Sequence, residues 1–252
     1  MGEEALVLLT NGKVATLRDF DGATLSKFQT GKDFGTWYRI SLNEQREIVD
    51  SEEIEAPLET TDVVSALQIK NLNQIFTPSI LNSIEQAKTF FNETKYNTKD
   101  SQCYMRAHVW AYDWRTQKNL FSSKVWLFFT RKYIRTRKFE WWFHVAPFVH
   151  VVVDGKVRER VLDIKYFKHR GPVSMKQWTD FFLADDFNCP VVANFSEQAN
   201  HPETGSCYLM KSSMYFYQPI DLETLETKGA FRKNWVEAEV KQSYKEAFDL
   251  DL

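Results

Sequence analysis

The chain has 252 residues, enough for one large domain or for a medium domain with a small companion. Hydrophobic residues make up 43% and charged residues 26%, which excludes a disordered or collagen-like chain, and no apolar run approaches the roughly 18 residues that span a membrane. Net charge is −2, with 16 acidic and 10 basic side chains in residues 1–100 against 18 and 22 in residues 101–252; the halves can attract one another, and the basic excess is too small to predict a nucleic-acid partner.

In chain order, Ala5 to Leu9 is an apolar run ending in Asn11-Gly12, a hairpin signal, with Val14 to Leu17 beyond it. Thr36 to Ile40 is a further strand candidate. Residues 43–62 are polar and acidic around Pro57 and read as a linker or exposed loop, with a boundary near residue 60. Thr77-Pro78 then resembles a helix start, with Ile80, Ile84, Ala87 and Phe91 on one face. A second helix is expected from Cys103, with Ala107, Trp110, Ala111 and Trp114 on one side. From Lys124 to Val161 the period becomes two. Ser174 with Gln177 three residues on forms a capping box that opens a short helix through Trp178 and Phe182. Tyr208 to Tyr217 reads as a strand, and Val236, Val240, Tyr244 and Phe248 mark a closing helix. Aromatic residues reach 15%, which favours a β-rich protein with a solid core.

The three cysteines are Cys103, Cys189 and Cys207. An odd count leaves at least one free thiol, and the absence of CxxC argues against a structural zinc site. The opening Met1-Gly2-Glu3-Glu4 lacks the basic start and apolar run of a secretion signal, which leaves an intracellular protein and a processed form both open.

A thiol nucleophile needs a base for its proton and a group that orients the base. Cys103 stands where a helix begins, facing the positive end of the macrodipole, which favours a thiolate; a buried structural cysteine is the plainer alternative. Asp154-Gly155 is a two-residue hairpin turn between Phe148–Val153 and Lys156–Val161. In that register Val153 faces Lys156 and Asp163 faces Ala146, two residues from His144 on the same sheet face. His144 and Asp163 are then diagonal neighbours within side-chain reach. The other histidines are weaker candidates: His108 lies a turn and a half past Cys103, His150 shares the His144 face but sits nearer the turn, and His169 and His201 lie in polar loops.

Three segments carry a resemblance. Cys103-Tyr104-Met105-Arg106-Ala107-His108, Trp141-Trp142-Phe143-His144-Val145-Ala146 and Arg160-Val161-Leu162-Asp163 resemble the protein-glutaminase family, whose members deamidate glutamine side chains in proteins. The likeness covers roughly residues 65–220. It implies that Cys103 is the nucleophile, His144 the base and Asp163 its orienting partner, with Trp141 flanking the substrate. It also implies an α+β, transglutaminase-like and papain-related fold with the cysteine helix packed on an antiparallel sheet, no metal or organic cofactor, and protein or peptide substrates with exposed glutamine. Neither nucleic acid nor membrane is expected as a partner. Residues 61–252 would form the catalytic domain and residues 1–60 a β-rich region, either a pro-segment over the cleft or a permanent accessory module. Family likeness points to a secreted or periplasmic protein, and Cys189 and Cys207 are expected to pair if it matures in an oxidising compartment. The alternatives are a transglutaminase or cysteine protease on the same three residues, and a non-catalytic binding protein built on the basic run Arg131–Lys138 and its aromatic flanks.

Overall fold

The computed structural model describes residues 4–9, 12–18, 24, 26–28, 37–54, 63–64, 78–96, 100–183, 188–201, 203, 205–228, 231–232 and 237–251. Helices and sheets are mixed, giving the α+β class expected. The first four strands form two antiparallel hairpins: β1 (Glu4–Leu8) with β2 (Val14–Arg18), and β3 (Trp37–Leu42) with β4 (Ile48–Ile54). β4 falls inside the acidic stretch expected to be a linker. Its Glu52 meets Arg39 across the strand pair at 3.1 Å, so cross-strand charge pairing supports a strand where composition alone reads as loop.

After the short pair β5 (Val63–Val64), the main sheet begins with β6 (Ile80–Leu81), followed by helix α1 (Ile84–Glu93). The helix therefore starts later than Pro78, and Thr77 lies outside the described residues. Ser83 Oγ accepts from the Gln86 backbone N–H at 3.1 Å and Gln86 Oε1 accepts from that of Asn82 at 2.8 Å; this reciprocal cap fixes the start, while Ile80 and Leu81 pair with His150 and Val151. Helix α2 (Cys103–Lys118) begins at the cysteine and ends at Asn119, which adopts the left-handed conformation with φ 50°. Ten of its residues are buried, because β8 packs on one side and the C-terminal helix α8 (Glu237–Phe248) on the other.

Strand β7 (Ser123–Phe129) is buried along its whole length. Helix α3 (Arg131–Arg137) then interrupts what the sequence presents as continuous strand. Thr130 Oγ1 caps it by accepting from the Tyr133 N–H at 3.2 Å, and Tyr133 and Ile134 are its buried side, so the cations face outward. Strand β8 (Phe143–Val153) is the spine, paired with β7 through residues 143–148 and with β9 (Lys156–Val161) through residues 148–153. Asp154 and Gly155 both have positive φ (51° and 71°), as a type I′ turn requires, and Val153 pairs with Lys156 as expected. The chain continues through α4 (Ile164–Phe167), α5 (Met175–Phe182), β10 (Val191–Val192), α6 (Phe195–Ala199), β11 (Cys207–Ser213), α7 (Pro219–Lys228) and β12 (Phe231–Arg232). Sheet order is β10-β11-β7-β8-β6, with β9 also on β8. The centre is antiparallel; β10 on β11 and β6 on β8 are parallel additions. A disulfide joins Cys189 to Cys207, leaving Cys103 as the free thiol.

Candidate active site

Cys103, the first residue of α2, is half-buried. Gln102, the N-cap, makes no side-chain cap bond, so the first turn is left to the backbone. His144 is the second residue of β8, opposite Leu127 of β7, and only 1% of it is exposed. Asp163 caps α4 by position, but its carboxylate makes no cap bond and turns to the histidine instead. His144 Nε2–H donates to Asp163 Oδ2 at 2.7 Å, and the Trp178 indole N–H donates to the same oxygen at 3.0 Å. With Nε2 so engaged, Nδ1 is the ring nitrogen left for Cys103.

The register that brings His144 and Asp163 together extends past the last strand pair, since Leu162 N–H still donates to the Pro147 carbonyl at 2.9 Å. Val161 and Val173 then form a bridge, which folds α4 and α5 back over the site. They bring a wall of rings: around the His144 imidazole stand Phe182 at 4.3 Å, Tyr166 edge-on at 5.3 Å, Trp178 at 5.5 Å and Trp141 stacked at 6.0 Å.

Burial pushes the imidazole toward its neutral form; the Asp163 carboxylate, then the hydrogen bond and charge at Cys103, outweigh it and raise His144 to about 9. The imidazole thus holds its proton beside Asp163 and Cys103 at neutral pH. Tyr166 is raised to about 12, first by burial. Its hydroxyl stays protonated at neutral pH and is available as a donor.

These groups surround a cavity of about 150 Å³ whose walls include Cys103, Arg106, Glu140, Trp141, His144 and Tyr166. Gly12 and Lys13 complete its rim. The Gly12 carbonyl accepts from the Trp142 backbone N–H at 2.9 Å, and Val14 N–H donates to the Glu140 carbonyl at 2.8 Å. A Cβ on Gly12 would lie 3.2 Å from the Phe143 ring, and its φ of +82° independently disfavours a side chain. A larger hollow, about 380 Å³, is lined by Phe167, Arg170 and Phe181 among others and shares no lining residue with the Cys103 cavity. Among the described residues, no group of three or more His, Cys, Asp or Glu side chains is placed to hold a metal ion.

Cys103, His144, Asp163 and Trp141 all meet at one site. The other histidines do not join them: His108 faces Lys124 at 3.1 Å, His150 lies 3.9 Å from Glu159, and His201 is exposed along with His169. Sequence reasoning missed Tyr166, the Trp178 bond to Asp163, and the approach of Gly12 and Lys13. The only available signal was the capping box at Ser174, which places α5 but not the direction in which its indole points.

A family model described as glutaminase matches residues 78–182. No curated protein matches the chain. A crystal structure of pro-protein-glutaminase is similar with a TM-score of 0.55 at 13% identity, over 93% of this chain and 83% of that one. A crystal structure of a mutant of pro-protein-glutaminase gives 0.57 at 13% identity, over 98% and 91%. At this identity the structures establish a common fold. The segment matched by the glutaminase model contains Cys103, His144 and Asp163, so the resemblance read from the sequence is supported over residues 78–182, and the fold is shared with the protein-glutaminase structures.

Proposed function

We propose that the protein is a cysteine-dependent protein-glutamine glutaminase that converts exposed glutamine side chains to glutamate and releases ammonia through a thioester on Cys103. One observation carries the reading: a buried His144–Asp163 pair, 2.7 Å apart, stands beside a half-buried cysteine at a helix start within the segment matched by the glutaminase family. The Cys103 thiolate attacks the carboxamide carbon, and the charge that develops on the carboxamide oxygen is met by the Cys103 backbone N–H. His144 gives its proton to the departing ammonia, then takes one from the water that hydrolyses the thioester. Asp163 holds the imidazole in the required tautomer, and Trp141 flanks the entering side chain.

In this reading the cysteine helix against the His-bearing sheet is a transglutaminase-like, papain-related arrangement, and residues 61–252 are its catalytic domain. Residues 1–60 then act as a pro-segment. Support comes from Gly12 and Lys13 on the rim of the Cys103 cavity and from the extent of the fold shared with pro-forms. The Cys189–Cys207 disulfide favours an oxidising compartment, hence secretion or the periplasm.

The test is ammonia release from a glutamine-rich protein by the wild type and by Cys103→Ala. The variant should lose all release while keeping its melting temperature; full activity in a well-folded Cys103→Ala protein overturns the reading. Adding a primary amine separates hydrolysis from acyl transfer, since only a transferase would incorporate it.

A further inference from the structure

Arg106 is a charged residue in a place where stability alone would not put one. It is 3% exposed, it belongs to α2, and among the described residues no carboxylate lies within ion-pair distance of it. Its Nε is buried with no acceptor. An unpaired buried cation costs several kcal/mol, and this one sits in the first turn of a helix, where the macrodipole disfavours positive charge. An apolar side chain would fill the space at no such cost.

The direction of the side chain gives the reason. Helical side chains lean toward the N-terminus, and Arg106 leans past Cys103: its Nη1 donates to the Ser101 carbonyl and, at 3.2 Å, to Ser101 Oγ. Ser101, Gln102 and Cys103 are the three residues that turn into α2, and the last of them presents the backbone N–H at the cavity. Arg106 itself lines that cavity with Cys103. Its charge is felt there by Tyr166, whose hydroxyl burial pushes up and Arg106 draws back down. The other charged or titratable groups around the thiol are Lys13, Asp100, Glu140, His144 and Tyr166 on the cavity wall, Tyr104 beside it on α2 and Lys124 from β7. Of the acidic ones, Glu140 is already paired with Arg46 at 3.1 Å.

We propose that Arg106 is a positioning residue for the reaction: by gripping Ser101 it fixes the turn into α2 that carries the Cys103 N–H, and its charge, held in no ion pair among the described residues, stabilises the negative charge that passes from the thiolate to the carboxamide oxygen. This rests on Cys103 being the nucleophile. The grip and the charge are separable, because lysine keeps the charge and loses the planar fork.

Two measurements on the full chain decide it: the rate at which iodoacetamide alkylates Cys103 at pH 7, and kcat and KM for a glutamine peptide. Arg106→Gln should slow alkylation about tenfold, the effect of removing one opposite charge near a thiolate, and lower kcat by at least about as much while KM stays within about twofold. Arg106→Lys should alkylate within about threefold of wild type yet keep a reduced kcat. A folded Arg106→Gln protein with wild-type alkylation and kcat overturns the proposal, as does one in which only KM changes. If Arg106→Gln does not fold, Arg106→Lys decides alone, and alkylation slowed tenfold there, or an unchanged kcat, counts against it. A wild-type Cys103 no more reactive than the thiol of the denatured chain would instead bring down the nucleophile assignment, which no Arg106 variant can do.

Discussion

Between Pro78 and Leu183 nearly every element has a buried partner, whereas between residues 4 and 54 the strands pair two by two. In the first region β7 is buried along its whole length and α2 is enclosed by β8 and α8. In the second, β4 has no buried side chain and, among the described residues, the buried apolar ones are Val14, Ala15 and Leu17 of β2. The two are joined by Val14, which belongs to the main core with Leu6 packed against it, and by hydrogen bonds to backbone carbonyls: Trp142 N–H to Gly12, Val14 N–H to Glu140, and the Trp142 indole N–H to Leu9 at 2.8 Å. A large apolar interface stabilises roughly in proportion to its area, while each backbone bond contributes only about 1 kcal/mol net. The first region is therefore the more deeply packed, and the second meets it along a narrower seam.

If geometry held by the first region does the chemistry, the largest effect comes from breaking it at His144. His144→Ala should lower kcat by about 10³-fold, within the range for a lost general acid–base. Asp163→Asn should cost less, because Trp178 can still hold the side chain at that position and only the tautomer of the imidazole is put at risk. Steady-state ammonia release measures both, and an Asp163→Asn enzyme as active as wild type would break the link between the 2.7 Å contact and turnover.

The next effect belongs to the seam. Protease should cut beyond Ile54, since residues 48–54 are held in the β3–β4 pair, and the released C-terminal fragment should stay folded and deamidate at least severalfold faster than the intact chain. A fragment that unfolds, or is no more active, makes residues 1–60 an integral module. In that case the contrast between the two regions has no functional meaning.

That contrast also separates what was legible in the sequence from what was not. Local chemistry was legible: Asp154-Gly155 sets the β8–β9 register, Ser174 and Gln177 start α5, and Cys103 starts α2. Features decided by tertiary packing were not. Helix α3 is hidden in the sequence because Tyr133 and Ile134 satisfy a strand pattern as well as a helical one, and only the Thr130 cap tips the balance. The ring wall around His144 is equally silent, because the spacing of Tyr166, Trp178 and Phe182 cannot say which neighbour each faces. The seam leaves least trace of all, since a carbonyl at Gly12 or Leu9 bonds the same way whatever the side chain.

A smaller effect sharpens the account of the buried pair through pH. Folded His144 holds its proton up to about 9, against 6.5 for an ordinary imidazole. The stabilisation it contributes is complete below pH 6.5 and is lost as pH rises through about 9, amounting to at most about 3 kcal/mol. Lys124 acts in the opposite sense: burial lowers it from 10.5 to about 7, so its cost is full below pH 7 and is relieved above it. The wild-type curve mixes the two. The difference in unfolding free energy between wild type and Asp163→Asn isolates the histidine, and it should shrink between pH 6.5 and 9.5. A difference that stays flat would mean that Asp163 does not hold the proton on His144.

The smallest expected effect tests the seam one contact at a time. Arg46, from the turn between β3 and β4, reaches across it: its Nη2 donates to the Glu140 carbonyl at 3.1 Å and, on its own side of the seam, to the Val14 carbonyl at 2.6 Å, and its Nη1 meets Glu140 Oε2 at 3.1 Å. Glu140 is 63% exposed at this contact, so solvent screens the ion pair and it contributes little; the bond to the Glu140 carbonyl carries most of the grip, about 1 kcal/mol. Arg46→Ala should therefore favour the open seam by about fivefold, the population change that such a free energy produces. Basal ammonia release should rise by no more than that factor, while the melting of the main sheet is unchanged. Because the grip lies in a hydrogen bond to a carbonyl, Glu140→Gln should reproduce only a small part of the rise, and 0.5 M salt should add little to wild-type activity. An Arg46→Ala enzyme whose basal rate matches wild type would mean that the grip of Arg46 does not govern access to Cys103, and the hold would have to lie in the bonds from Trp142 to Leu9 and Gly12 instead.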